Sequence, residues 1–329
     1  MGTVRNLSAM LLAVLMVACG DSSKPTVVGI TADNSVATST KEKPAAIKVA
    51  FIMKSLTNPF FVEMAKGART AQEETGIDLH IKTATPETSA EQQIRIIDGQ
   101  IKARVNAIVI SPVDVRQLAP VLKRAQDAGI KIVNIDERLQ PDALMANGTK
   151  PVPFVGVDSE QAAYQAAKFM ADQIKQPTEA AIIEGIPGTN TAIDRKRGIQ
   201  RAFAENSKLM IVAMEAANWR ADEAYELAKR VFKSHPRIGV VYCANDMMAI
   251  GLIKYLQETG RTKVVVGGFD ALDEAKQAIR NGQMTATVDQ RAARQGYLGV
   301  ISALKLLRGE AVPDVVLVDT ALITADSLK

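Results

Sequence analysis

From Ile47 onward the chain repeats one pattern: a short run of β-branched and other apolar residues, then a longer stretch whose apolar positions recur at helical spacing. Continuous apolar runs suit strands buried on both faces, and the stretches between them have the period of helices laid against a sheet. The alternation predicts parallel strands joined by crossover helices, an α/β architecture. The strands fall at Ile47 to Met53, Leu79 to Lys82, Ala107 to Ile110, Lys131 to Ile135, Val152 to Gly156, Ala180 to Glu184, Met210 to Met214, Ile238 to Cys243, Lys263 to Gly268 and Thr285 to Val288. Helix ends are legible as well: Pro59 lies just inside a start with Gly76 past the end, Leu118 to Ala128 closes on Gly129, and Met247 to Thr259 closes on Gly260. So many strands overfill one small doubly wound sheet, and two lobes of about five strands each, with a cleft between them, are the economical packing.

The first residues break this pattern. Arg5 precedes an apolar run from Leu7 to Ala18 that is too short to cross a bilayer as a stable helix and reads as a secretory signal, residues 1–19. The run ends in Met16-Val17-Ala18-Cys19-Gly20. That ending resembles the lipobox of bacterial lipoproteins, with Met16 in place of the usual Leu, and implies lipidation at Cys19. A soluble secreted protein cut near Ala18 is the alternative. Residues 20–45, rich in Ser, Thr, Lys and Pro, read as a flexible linker between anchor and folded body.

Composition narrows the function classes. The 329 residues carry a net charge of +4, from 40 basic and 36 acidic side chains spread along the chain, so no nucleic-acid partner is indicated. Besides Cys19 there is one cysteine, Cys243, inside an apolar run; it reads as a buried strand thiol, and no intramolecular disulfide survives processing. His80 and His235 are isolated, and the phosphate-cradling, nucleophile-elbow and zinc-helix motifs are absent. No catalytic residues, metal or cofactor are expected.

Open parallel sheets bind ligands beyond the carboxyl ends of their strands. The first strand runs into Lys54 and a loop holding Asn58, Phe60 and Phe61; the fourth into Asp136 and Glu137; the eighth into Asn245; the ninth into Asp270; the tenth into Gln290. Arg195 and the sole tryptophan, Trp219, complete the candidates. A monosaccharide presents C–H faces that stack on aromatic rings and hydroxyls that both donate and accept, and this set supplies partners for both. Lys54 and Arg195 set against Asp136, Glu137 and Asp270 nearly balance in charge, which favours an uncharged polyol over a phosphorylated ligand. Each position also has a plainer reading. Asn58-Pro59 starts a helix whether or not it meets a ligand; Phe60 and Phe61, about 100° apart on a helix, could be core; Asp136 and Asp270 could be caps or turn residues.

The motifs carrying these residues resemble, in order, those of the ribose-type (type I, cluster B) periplasmic sugar-binding proteins, from about Ile47 to Leu328. They are Lys54-Ser-Leu-Thr-Asn-Pro-Phe-Phe, Asn134-Ile-Asp-Glu137, Glu184-Gly-Ile-Pro-Gly, Tyr242-Cys-Ala-Asn-Asp-Met-Met-Ala-Ile-Gly251, Val266-Gly-Gly-Phe-Asp270 and Gly282-Gln-Met-Thr-Ala-Thr-Val-Asp-Gln290. Lys54 and Glu137 are similar to the allose-binding branch, whereas Phe61 replaces a larger aromatic and Arg291-Ala-Ala-Arg replaces an Asn-Pro turn. The resemblance implies two doubly wound parallel-sheet lobes joined by a three-stranded hinge: an N-lobe of 46–157 plus 291–319 and a C-lobe of 158–290 plus 320–329. It further implies ligand contacts from Lys54, Asn58, Phe60, Phe61, Asp136, Glu137, Arg195, Trp219, Asn245, Asp270 and Gln290. The expected protein is a non-enzymatic, monomeric solute-binding component of an ABC importer. It closes on an allose-, allulose- or ribose-like sugar, works with a membrane permease and is lipid-anchored on the periplasmic or outer face of a bacterial membrane. A sugar sensor feeding a chemoreceptor or kinase is the alternative partner reading. A repressor-like ligand core fits poorly with an N-terminal export signal in place of a helix-turn-helix.

Overall fold

The computed structural model describes residues 46–84 and 89–329, so the expected signal, the lipidation site Cys19 and the linker lie outside the described residues. In chain order the first elements are β1 (Lys48–Met53), α1 (Pro59–Thr75), β2 (Asp78–Thr83), α2 (Ala90–Lys102), β3 (Ala107–Ile110), α3 (Ala119–Asp127), β4 (Lys131–Ile135), α4 (Pro141–Ala146) and β5 (Phe154–Gly156). They continue with α5 (Ser159–Ala171), β6 (Thr178–Glu184), α6 (Asn190–Ala204), β7 (Leu209–Ala216), α7 (Ala221–Ser234), β8 (Ile238–Cys243), α8 (Asp246–Glu258), β9 (Val265–Gly267), α9 (Asp273–Arg280) and β10 (Ala286–Asp289). Helix α10 (Ala292–Leu307), β11 (Val315–Leu317) and β12 (Ala321–Thr324) complete the fold.

These strands form two six-stranded sheets, ordered β11-β5-β4-β3-β1-β2 and β12-β10-β9-β8-β6-β7. Each has one strand more than the hydrophobic pattern predicts. The additions, β11 and β12, are short and sit at sheet edges, too brief to show a period. β11 joins β5 in parallel, but β12 runs antiparallel to β10, pairing Ile323 with Thr287, so the second sheet is mixed at its edge.

The interior strands have apolar runs because helices cover both of their faces. Along β1 and β3, Phe51, Met53 and Val109 belong to the core on one face, while Ala50, Ile52, Ile108 and Ile110 belong to another on the opposite face. The second sheet repeats this: Ile183, Val241 and Cys243 point one way, and Ala180, Ile182, Val240 and Tyr242 the other. Cys243 is fully buried and free, and burial pushes its thiol pKa up. Helix α10 packs on α1 and under β3 and β4, although the preceding strand β10 belongs to the second sheet. The chain therefore passes between lobes after β5, between β10 and α10, and between β11 and β12.

Candidate functional site

In each lobe the strand ends turn polar where the sheet stops. Lys54 and Asn58 follow β1, and the Asn58 side chain caps α1 by accepting from the Phe60 amide at 3.0 Å. Asn245 does the same for α8, accepting from the Met248 amide at 3.0 Å. Capping thus engages the side-chain oxygen of each, and Asn245 Nδ2 donates to the Trp219 carbonyl at 3.4 Å. Phe60 and Phe61 are both buried and meet edge to face with centroids 5.0 Å apart.

Three side chains reach the gap through backbone in the left-handed region: Asp136 (φ 64°), Trp219 (φ 67°) and Asp270 (φ 120°). Such conformations are costly for residues with a side chain and persist only where their surroundings hold them. Asp136 is held by the Ser111 hydroxyl, which donates to its Oδ2 at 2.6 Å. The fully buried Gln93 in turn fixes the Ser111 carbonyl at 2.9 Å. Trp219 follows Asn218, also left-handed, whose amide donates to Glu223 at 2.6 Å. Its indole lies where any side chain at Gly185 would sit, so a glycine after β6 is what admits the ring. The Asp270 amide donates to the Val288 carbonyl at 2.8 Å, and Gln290 Nε2 donates to Asp270 Oδ1 at 2.6 Å.

Lys54, Asn58, Phe60, Phe61, Asp136, Thr191, Arg195, Trp219, Asn245, Asp270 and Gln290 line one small interlobe cavity, about 310 Å³ of atom-free space including its mouth. Ten of the eleven residues expected from sequence meet there; Glu137 does not. Its buried carboxylate turns to the start of α6, accepting from the Asn190 amide at 2.7 Å and the Thr191 hydroxyl at 2.6 Å. Thr191, not among the residues expected from the sequence, lines the wall with Glu137 bonded behind it. The available signal was its position one helical turn before Arg195 and just beyond the Glu184-Gly-Ile-Pro-Gly motif. A wider groove beside the hinge, bordered by Glu63, Lys66, Asp273 and Arg294, has exposed charged rims and lacks such convergent buried groups.

Lys54 Nζ lies 3.1 Å from Asp136 Oδ2, and Arg195 Nη1 lies 3.7 Å from Asp270 Oδ1, so each lobe brings its own buried ion pair to the cavity. Burial pushes the Asp270 carboxyl well up from the ordinary carboxylate range, and the Arg195 guanidinium pulls against it. Arg195 is sandwiched by aromatics, 3.7 Å over Phe269 and 5.3 Å from the Trp219 ring centroid, and donates to the Ala244 carbonyl at 2.7 Å. Its Nε is buried with no protein acceptor, an unmade bond that a ligand hydroxyl could complete. Asp246, beside Asn245, serves the frame: it accepts from the Thr287 hydroxyl at 2.7 Å and the Leu272 amide at 2.9 Å. Burial lifts its pKa to about 6 against those bonds. Among the described residues no cluster of His, Cys, Asp and Glu could hold a metal ion, and no helix is long and apolar enough to cross a membrane.

Comparison with known proteins places this geometry. Residues 49–311 match the family model described as a periplasmic binding protein domain. A D-ribose/D-allose-binding protein of Pseudomonas aeruginosa is 36% identical over 304 residues, covering 92% of this chain and 91% of that one. The D-allose-binding periplasmic protein of Escherichia coli is 32% identical over 288 residues, covering 85% and 93%. Among solved structures, an ABC transporter periplasmic solute-binding protein from Actinobacillus succinogenes with bound D-allose superposes with a TM-score of 0.82 at 33% identity, over 85% of this chain and 98% of that one. With two matching parallel-sheet lobes, a polar cavity between them and relatives that align along nearly their whole length, the chain belongs to the periplasmic binding protein family.

Proposed function

We propose that this protein is the solute-binding component of an ABC sugar importer, taking one uncharged monosaccharide of the allose, allulose or ribose type between its lobes and handing the closed form to a permease. The carrying observation is the convergence of ten buried or nearly buried side chains, from both lobes, on one cavity that mixes aromatic faces with charge-balanced polar groups. The lobes are read as 46–157 with 291–319 and 158–290 with 320–329, closing about the three crossings. A sugar touching both lobes favours the closed state by its differential affinity, and closure excludes water from the bonds it makes. Micromolar affinity needs about 8 kcal/mol, which a handful of charge-assisted hydrogen bonds at about 1.5–3 kcal/mol each supply after ordering costs. The relatives are solute-binding proteins, and binding with release, not bond breaking, is the proposed activity here.

A thermal-shift panel of monosaccharides, alditols and sugar phosphates tests the reading. At about a thousand times Kd the cognate sugar raises the melting temperature by roughly 8 °C or more. Sugar phosphates are expected to leave it unmoved, because Lys54 and Arg195 are already paired with Asp136 and Asp270 and the cavity offers no surplus positive charge. A panel in which only charged ligands shift the transition would overturn the assignment.

We also propose that Cys19 is lipidated after signal cleavage, supported by Met16-Val17-Ala18-Cys19-Gly20 following the apolar run. Cys19→Ala is expected to move the protein from the membrane pellet to the soluble fraction, since one lipidated N-terminus is the anchor proposed. Retention of that variant in the pellet would count against lipidation.

A further inference from the structure

Glu137 is the one residue expected in the sugar site that does not line the cavity; it stands behind the wall, 3.8 Å from Lys54 Nζ, and its other partners suggest a further task. It is 1% exposed, and a buried carboxylate is tolerated only when paired and hydrogen-bonded. Its ion-pair partner is Lys54 of its own lobe, with Nζ at 3.8 Å, but its hydrogen-bond donors come from the other lobe: the Asn190 amide at 2.7 Å, the Thr191 hydroxyl at 2.6 Å and the Thr191 amide at 3.4 Å. Those amides belong to the first turn of the fifteen-residue helix α6, where backbone donors have no partners inside the helix and the dipole favours an anion. The helix already has its own cap, Thr189, on the Ala192 amide, so Glu137 serves donors that Thr189 leaves open. The same segment makes two more bonds across the gap. Asn190 Nδ2 donates to the Arg138 carbonyl at 2.7 Å, and Gln140 Nε2 donates to Asn190 Oδ1 at 3.0 Å. All of these join lobe to lobe directly, with no ligand as intermediary, and opening the cleft would return every one of them to water.

We propose that residues 137–140 and the start of α6 form an interlobe latch, in which Glu137 sets how often the free protein closes, and thereby scales affinity without choosing the sugar. Opening hydrates the carboxylate and so recovers part of what the lost bonds cost, which makes the device reversible. A latch of this kind multiplies the apparent affinity of every ligand by the same closed fraction. Only the affinity half rests on the sugar-binding reading.

The experiment has two arms. In the first, distances between fluorophores placed one on each lobe, together with small-angle scattering, report the closed fraction of the sugar-free protein. In the second, calorimetry measures each sugar that binds. Glu137→Ala is expected to shift the free protein towards the open form and to weaken all bound sugars by a common factor of roughly ten to thirty. Asn190→Ala, whose side chain lies outside the cavity wall, is expected to act in the same direction by a smaller factor, and it reports on the latch even if the first variant folds poorly. An unchanged open–closed distribution in both variants would overturn the latch. So would an affinity loss in Glu137→Ala confined to one sugar, since that would make Glu137 a ligand contact. Should no sugar bind at all, the site reading fails while the first arm still judges the latch.

Discussion

Asp270→Ala and Trp219→Ala are each expected to reduce sugar affinity by at least about a hundredfold, to the edge of detection, while unfolding remains cooperative. Asp270 accepts from Gln290 at 2.6 Å and faces Arg195 at 3.7 Å, both side chains of the pair being buried. Removing it deletes an acceptor and leaves a guanidinium buried without its counter-charge, a change that costs about 3–5 kcal/mol where it has been measured. Asp270→Asn separates the two contributions. It keeps an oxygen for Gln290 and tolerates the positive φ, so the expected loss is nearer tenfold. Trp219 lines the cavity and holds one side of Arg195, so its truncation is expected to remove the proposed stacking face and loosen the cation at once. Calorimetry on the refolded variants checks both, and normal affinity in Asp270→Ala and Trp219→Ala together would defeat the site.

The second large effect is on stability. Gly67→Ala is expected to destabilise the protein by about 3 kcal/mol and lower its melting temperature by roughly 6–12 °C. A methyl at Gly67 would fall on the Ala293 carbonyl oxygen, and a methyl at Gly296 would fall on the Met64 carbonyl oxygen. Helices α1 and α10 are therefore in backbone contact through reciprocal glycines, and backbone cannot swing aside as a flexible side chain can. Helix α10 begins at the hinge and α1 begins just after its cap, Asn58, so separating the pair disturbs the site as well as the core. Gly99→Ala is the control. It lies inside α2 with open space where its methyl would go, so it should stabilise by a few tenths to about 1 kcal/mol. Thermal and urea unfolding of the three proteins checks the sign as well as the size; an unchanged midpoint for Gly67→Ala would contradict the contact.

How far the sequence reaches differs from one feature to the next. β3, β4 and β8 lie at the residues their apolar runs predict, because burial on both faces demands uninterrupted apolar residues, a local property. Polar residues immediately after those strands mark the site because the sheet's edge is where polar groups can again meet water or ligand. β11 and β12 left no comparable mark. They are strands because β5 and β10 offer them an edge, and pairing partners are not written into three or four residues.

Asp136 and Glu137 show the boundary most clearly. They are adjacent acids after one strand, and the chain alone ranks them equally as ligands for a hydroxyl. The left-handed turn at Asp136 sends that carboxylate into the cavity and its neighbour towards α6 of the other lobe. Ten of the twelve strands, the crossover helices and the list of polar and aromatic residues at the strand tips are legible in the chain, because these follow from periodicity and burial within short windows. Which of those residues meet, that Thr191 lines the wall with Glu137 behind it, and that Gly185 must be bare to admit the Trp219 ring emerge only from the folded chain. Each depends on where a segment remote in the chain comes to rest, and no local pattern carries that distance.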